Sequence, residues 1–87
     1  MRAKRVDANQ DQIVSALRAA GAFVYVIGLP VDLLVGFKGH TFLIEVKDGP
    51  RKRLTALQEE FFNEWTGSTL CRVDSAEAAL RMIGVIK

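Results

Sequence analysis

Two runs of strand-forming residues separated by Lys38-Gly39 constrain this chain more than any other feature. Asp32-Leu33-Leu34-Val35-Gly36-Phe37 and Thr41-Phe42-Leu43-Ile44-Glu45-Val46-Lys47 are rich in β-branched and aromatic side chains, which fit a pleated sheet. Lys38-Gly39 suits a tight hairpin. With that loop, Phe37 faces His40 and, further along, Asp32 faces Glu45. Facing side chains lie about 4.5–5.5 Å apart at Cβ, where like charges repel. Lys47, two residues beyond Glu45, points to the same face. Two carboxylates and an ammonium converging on apolar strands need a reason. A hard divalent cation supplies one, because Mg²⁺ takes oxygen ligands from carboxylates, water and phosphate.

The 87 residues make a single domain spanning 1–87, with 1–6 read as a flexible basic tail. Its core is near the lower end of what folds without help. A hydrophobic share of 49% argues against disorder. Cys71 is the only cysteine and His40 the only histidine, which excludes an intrachain disulfide and any cysteine- or histidine-rich metal site. His40, at the hairpin tip, reads as a turn residue, Tyr25 and Trp65 as core, and Cys71 as a small buried hydrophobe.

Met1-Arg2-Ala3-Lys4-Arg5 is followed by an amphipathic segment rather than an apolar run, and no stretch has the length of a membrane span. The expectation is a cytoplasmic protein with no membrane partner. A net charge of +2 is too small to imply nucleic-acid binding. Its distribution says more: Arg2, Lys4 and Arg5 form one basic cluster, and Arg51-Lys52-Arg53 a second just after the paired strands. Such clusters contact phosphates without reading sequence, or they are a solvated tail and loop.

Asp7-Ala8-Asn9 offers capping side chains for a first helix from about Asn9 to Ala20, stopped by Gly21. Ala22-Phe23-Val24-Tyr25-Val26-Ile27 reads as a strand ended by Gly28-Leu29-Pro30, and the hairpin follows. Thr55-Ala56-Leu57-Gln58 has the form of a capping box, opening a helix that ends near Trp65. Thr69-Leu70-Cys71-Arg72-Val73 is a short strand, and Ser75 caps a last helix to about Ile83. Three strands joined by short turns form an antiparallel meander, and a helical crossover sets the fourth parallel to the third. Unalternating Leu33-Leu34-Val35 implies cover on both faces. The expected fold is an α/β/α sandwich around a four-stranded mixed sheet.

Leu57, Phe61, Leu54, Trp65 and Phe62 span an arc of about 140° on the second helix, with Leu57 at one edge. Gln58 falls inside that arc, so it is expected to face the sheet near the chain leaving Lys47. It also has a place in the capping box, and the two roles are compatible. In the first helix Gln10 projects onto the arc of Ile13, Val14, Leu17 and Ala20. It reads either as a polar residue in a frayed first turn or as a neighbour of the same corner.

Pro30-Val31-Asp32, followed across the hairpin by Glu45-Val46-Lys47, resembles the PD-(D/E)XK nuclease signature. The helix-strand-strand-strand-helix-strand order is similar to that of the family's restriction-endonuclease-like core, here with an additional C-terminal helix. Within that superfamily the chain resembles stand-alone VRR-NUC domains of bacteria and their viruses. The likeness runs through Val31-Asp32-Leu33-Leu34-Val35-Gly36, Leu43-Ile44-Glu45-Val46-Lys47-Asp48-Gly49, and Leu54-Thr55 followed by Gln58. It covers about Asp7 to Ala79.

The resemblance implies a nuclease hydrolysing DNA phosphodiesters with Mg²⁺ or Mn²⁺, in a bacterial or phage-infected cytoplasm. Asp32, Glu45 and the main-chain carbonyl of Val46 would hold the metal. Lys47 would orient or activate the attacking water, and Gln58 would help position it. Arg51, Lys52, Arg53 and Arg5 would contact DNA. Two departures stand out: Val31 separates Pro30 from the acid, and Gln10 stands where relatives often carry a glutamate. An amide is a poorer partner than a carboxylate for Mg²⁺, so Gln10 is an accessory candidate only. So small a domain leaves little room for sequence reading. The implied substrate is branched DNA such as a four-way junction, and a homodimer would offer two sites to two strands. The alternatives are a weakly active or inactive DNA-binding module and a structural domain.

Overall fold

The computed structural model describes residues 8–87. In chain order the elements are α1 (Gln10–Ala19), β1 (Phe23–Val26), β2 (Leu33–Phe37), β3 (His40–Val46), α2 (Ala56–Glu64), β4 (Thr69–Val73) and α3 (Ala76–Met82). The strands lie in the order β1-β2-β3-β4. The first three form an antiparallel meander, and β4 runs parallel to β3. The element order and mixed sheet are those expected from sequence.

The hairpin register is also as expected, with Phe37 opposite His40 and Leu33 opposite Ile44. Lys38 and Gly39 both have positive φ, 49° and 82°, the signature of the type I′ turn whose twist matches the flanking strands. His40 is the first residue of β3 rather than a loop residue, and its ring lies 6.5 Å from that of Phe42. Asp32 falls just before β2 and Lys47 just after β3. The carbonyl of Asp32 still accepts from Ile27 N (2.9 Å), which extends the β1–β2 pairing.

One face of the sheet carries the core. Leu33 and Val35, Ile44 and Val46, and Cys71 and Val73 alternate inward from three strands and meet Ile13, Leu17 and Ala79 from α1 and α3. Among the described residues this is where both helices pack. Burial pushes the Cys71 thiol up to about 11, in keeping with a buried apolar role.

The second face departs from expectation. Of α2 only Gln58 is buried, while Leu57 is 78% exposed and Phe61 and Phe62 are half-buried. The helix is turned about its axis so that Gln58, not the Leu57 edge of the apolar arc, faces inward. Tyr25 and Trp65, expected in the core, are 59% and 37% exposed. Strand β1 is an edge strand whose second face α2 does not cover. Leu34 is accordingly half-buried where full cover was expected.

Candidate functional site

Glu45 alternates with Ile44 and Val46, both in the core, so its side chain emerges on the α2 side. It is only 1% exposed. Its Oε2 accepts from Gln58 Nε2 at 2.7 Å and lies 3.2 Å from Lys47 Nζ. Lys47 Nζ also donates to Gln58 Oε1 at 3.0 Å. The three side chains close a triangle: carboxylate, ammonium and amide each touch the other two.

Gln58 reaches that position because α2 begins where it does. Thr55 Oγ1 accepts from Gln58 N (3.2 Å), and Gln58 Oε1 accepts from Thr55 N (3.0 Å), a complete capping box. The same oxygen therefore serves the cap and Lys47, while the amide nitrogen serves Glu45. Both sequence readings of Gln58 hold at once in the geometry. This polar anchoring accounts for the rotation of α2. A buried carboxylate beside a half-buried ammonium must be hydrogen-bonded, and that demand outweighs burial of Leu57, worth about 1.5–3 kcal/mol.

Asp32 is also buried. Its Oδ2 accepts from the main-chain N of Val46 at 2.8 Å, which ties it to β3 one residue past Glu45. Facing like charges were expected to make this corner intrinsically repulsive. Instead one oxygen of Asp32 holds a backbone N–H and one of Glu45 holds an ammonium.

Asn9 does not cap α1 with its side chain. Its Nδ2 donates to the carbonyls of Lys47 (3.2 Å) and Asp74 (2.8 Å), clamping the ends of β3 and β4 together. Sequence reading missed this role, because nothing local marks an asparagine for carbonyls 38 and 65 residues away. Gln10 follows directly. It is 5% exposed, and its Oε1, like Asn9 Oδ1, has no hydrogen-bond partner. It is not a residue of a frayed turn.

Arg51, Lys52 and Arg53 are exposed on a loop pinned by Arg72, whose Nη2 donates to the carbonyls of Gly49 and Lys52, each at 2.8 Å. Arg5, and Asp7 as a capping residue, lie outside the described residues, as does the basic tail.

The donor set suits a hard cation. Carboxylate oxygens such as those of Asp32 and Glu45 are ligands that Mg²⁺ or Mn²⁺ accepts, and Gln10 on α1 carries a further buried oxygen. A buried amide oxygen without a donor is itself a polar group in need of a positive partner. Among the described residues no set of three His, Cys, Asp or Glu gathers, so main-chain, amide and substrate oxygens would complete any coordination. No helix among those residues is long and apolar enough to cross a membrane. Compared with family models, curated proteins and solved structures, the chain matches none.

Proposed function

We propose that this protein is a metal-dependent DNA endonuclease of the PD-(D/E)XK, VRR-NUC-like kind, acting on branched DNA such as a four-way junction. The observation that carries the reading is the buried Glu45–Lys47–Gln58 triangle beside Asp32. An ammonium held against a carboxylate where two strands end, with a second buried acid alongside, is an arrangement that hydrolysis of a charged diester can use.

Asp32, Glu45 and the Val46 carbonyl are the proposed holders of Mg²⁺ or Mn²⁺, with Gln10 as an accessory oxygen. A metal there would acidify bound water and neutralise charge on the phosphoryl oxygens. Lys47 has three N–H donors, and the described contacts take two, to Glu45 and Gln58. The third is available to orient the attacking water or to meet negative charge that grows on a phosphoryl oxygen. Gln58 fixes the direction of that ammonium by accepting from it. Arg51, Lys52 and Arg53 supply phosphate contacts that position DNA without reading bases, and a homodimer would offer two such sites to two strands.

The test is cleavage of end-labelled four-way junction, flap and linear duplex DNA with and without Mg²⁺ or Mn²⁺. Junction cleavage that needs the metal, and that falls at least about 10²-fold in Lys47→Ala, is the expected result. Tight junction binding with no cleavage under either metal would instead favour a DNA-binding module. Neither binding nor cleavage would leave a structural domain.

A further inference from the structure

The uncovered face of β1 leads rung by rung to the acidic corner. Phe23, Gly36 and Thr41 stand opposite one another across β1, β2 and β3, and Tyr25, Leu34 and Leu43 make the next rung. They alternate with Val24, Val35 and Ile44 of the core, so they point to the other face of the sheet, the one from which Glu45 emerges. The same register continued puts Asp32 and Glu45 on the third rung, about 7 Å beyond the second.

Two aromatic rings stand in water on this face. Phe23 is 66% exposed and Tyr25 59%. Gly36 keeps the floor beside Phe23 open, since a Cβ built there would meet nothing within 4 Å. Two residues along one strand set the rings about 7 Å apart at Cα. Successive base pairs of a duplex rise only about 3.4 Å, so stacked, paired DNA cannot lay neighbouring bases on both rings. An unpaired strand can, because its bases separate freely. Exposed aromatics on a sheet are a known physical means of stacking unpaired bases.

The rim suits a polyanion. Arg18 and Lys38 are exposed. Arg18 Nη2 donates to the Val24 carbonyl at 3.0 Å, which sets the guanidinium along the outer edge of β1 with further N–H groups for a phosphate. Lys38 turns the hairpin next to the Phe23 rung. Phe23, Tyr25, Leu34, Gly36 and Thr41 carry no charge, so nothing on the open stretch repels the strand. The Arg18 bond also occupies a carbonyl that an added β-strand would need, which disfavours a peptide paired to this edge.

We propose that Phe23 and Tyr25 bind two unpaired nucleotides of a DNA strand by stacking. Because the rungs lead to Asp32 and Glu45, the platform favours branched DNA that presents an unpaired strand at the branch. That selection rests on the nuclease reading above; the stacking site does not.

The test is binding without metal, in EDTA, so that no cleavage enters. Fluorescence anisotropy compares a short oligothymidine, a strand of the same length and charge built of abasic spacers, and a duplex. The parent is expected to bind oligothymidine about tenfold or more tightly than the abasic strand. Phe23→Leu/Tyr25→Leu keeps apolar side chains on the strand and removes both π-faces. It is expected to bind the two strands alike, to leave duplex affinity unchanged and to keep the parent's circular dichroism, while Phe23→Trp/Tyr25→Trp retains the preference. A parent with no preference for bases, a preference that survives in the leucine variant, or an equal fall in duplex binding would each overturn the proposal. So would a change of mass in sedimentation with strand affinity unaltered, which would give the face to a second copy. A parent that cleaves no DNA yet keeps the base preference would sink the nuclease reading and leave the platform standing.

Discussion

Asp32 has two duties that substitutions can separate. Its Oδ2 accepts from Val46 N, and asparagine keeps an oxygen for that bond while losing the charge a cation needs. Asp32→Asn is therefore expected to fold near normally and to lose metal-dependent activity. Asp32→Ala leaves the buried Val46 amide short of its acceptor and should be the less stable by about 1–3 kcal/mol, read from urea unfolding midpoints. Equal stability of the two would show that the Val46 bond contributes nothing. Cys71 gives a second prediction at this scale. Burial holds its pKa at about 11, above the value of about 8.5 for a free thiol. The folded state thus retains the proton that the unfolded state gives up. Stability from this source is full below about pH 8.5 and is lost as pH rises toward 11. Cys71→Ala should show a shallower decline over that window, and the parent thiol should resist alkylation until the protein unfolds.

At the scale of elements, the hairpin and α2 are fixed by different means. The hairpin turn is local. Lys38 is the one described residue other than glycine with positive φ, where an ordinary side chain is strained by about 1–2 kcal/mol. Asparagine tolerates that conformation, so Lys38→Asn should raise Tm by a few degrees, less whatever Lys38 gains by lying 5.3 Å over the Phe37 ring. Helix α2 depends on a long-range contact through Gln58. Thr55→Ala removes only the cap acceptor and should cost about 1 kcal/mol. Gln58→Ala also takes a donor from buried Glu45 and an acceptor from Lys47, so its loss should exceed that of Thr55→Ala by about 1 kcal/mol or more. If the two variants melt together, Gln58 is a capping residue and nothing else.

For the molecule as a whole, the proposed cation site at Asp32 and Glu45 would link stability to divalent cations. A ligand that binds only the folded state raises its stability by mass action, about 2.7 kcal/mol at a hundred times Kd. Mg²⁺ or Mn²⁺ should therefore raise Tm of the parent, and raise it less in Asp32→Asn. Calorimetry that finds the two responses equal would remove Asp32 from the proposed metal site and leave it a structural acceptor. This measurement needs no substrate, so it checks the corner independently of any DNA.

The order of elements, the β2–β3 register and the inward direction of Gln58 were legible in the chain because they follow from local rules, whereas helical phase left Gln10 open between solvent and the interior. Alternation of side chains, a two-residue turn and helical phase act within a few residues of one another. The element bounds moved by only a residue or two. What could not be read was decided by groups far apart in sequence. Nothing near Asn9 announces the Lys47 and Asp74 carbonyls it joins, and nothing near Asp32 announces the Val46 amide. The Leu57 edge of the apolar arc of α2 was left uncovered for the same reason. Hydrophobic periodicity counts greasy surface, but a buried Glu45 and a half-buried Lys47 need hydrogen bonds more than Leu57 needs cover, and Gln58 is the one buried residue of the helix and bonds to both. That choice left Leu57 and Trp65 in solvent, and only the tertiary structure could make it.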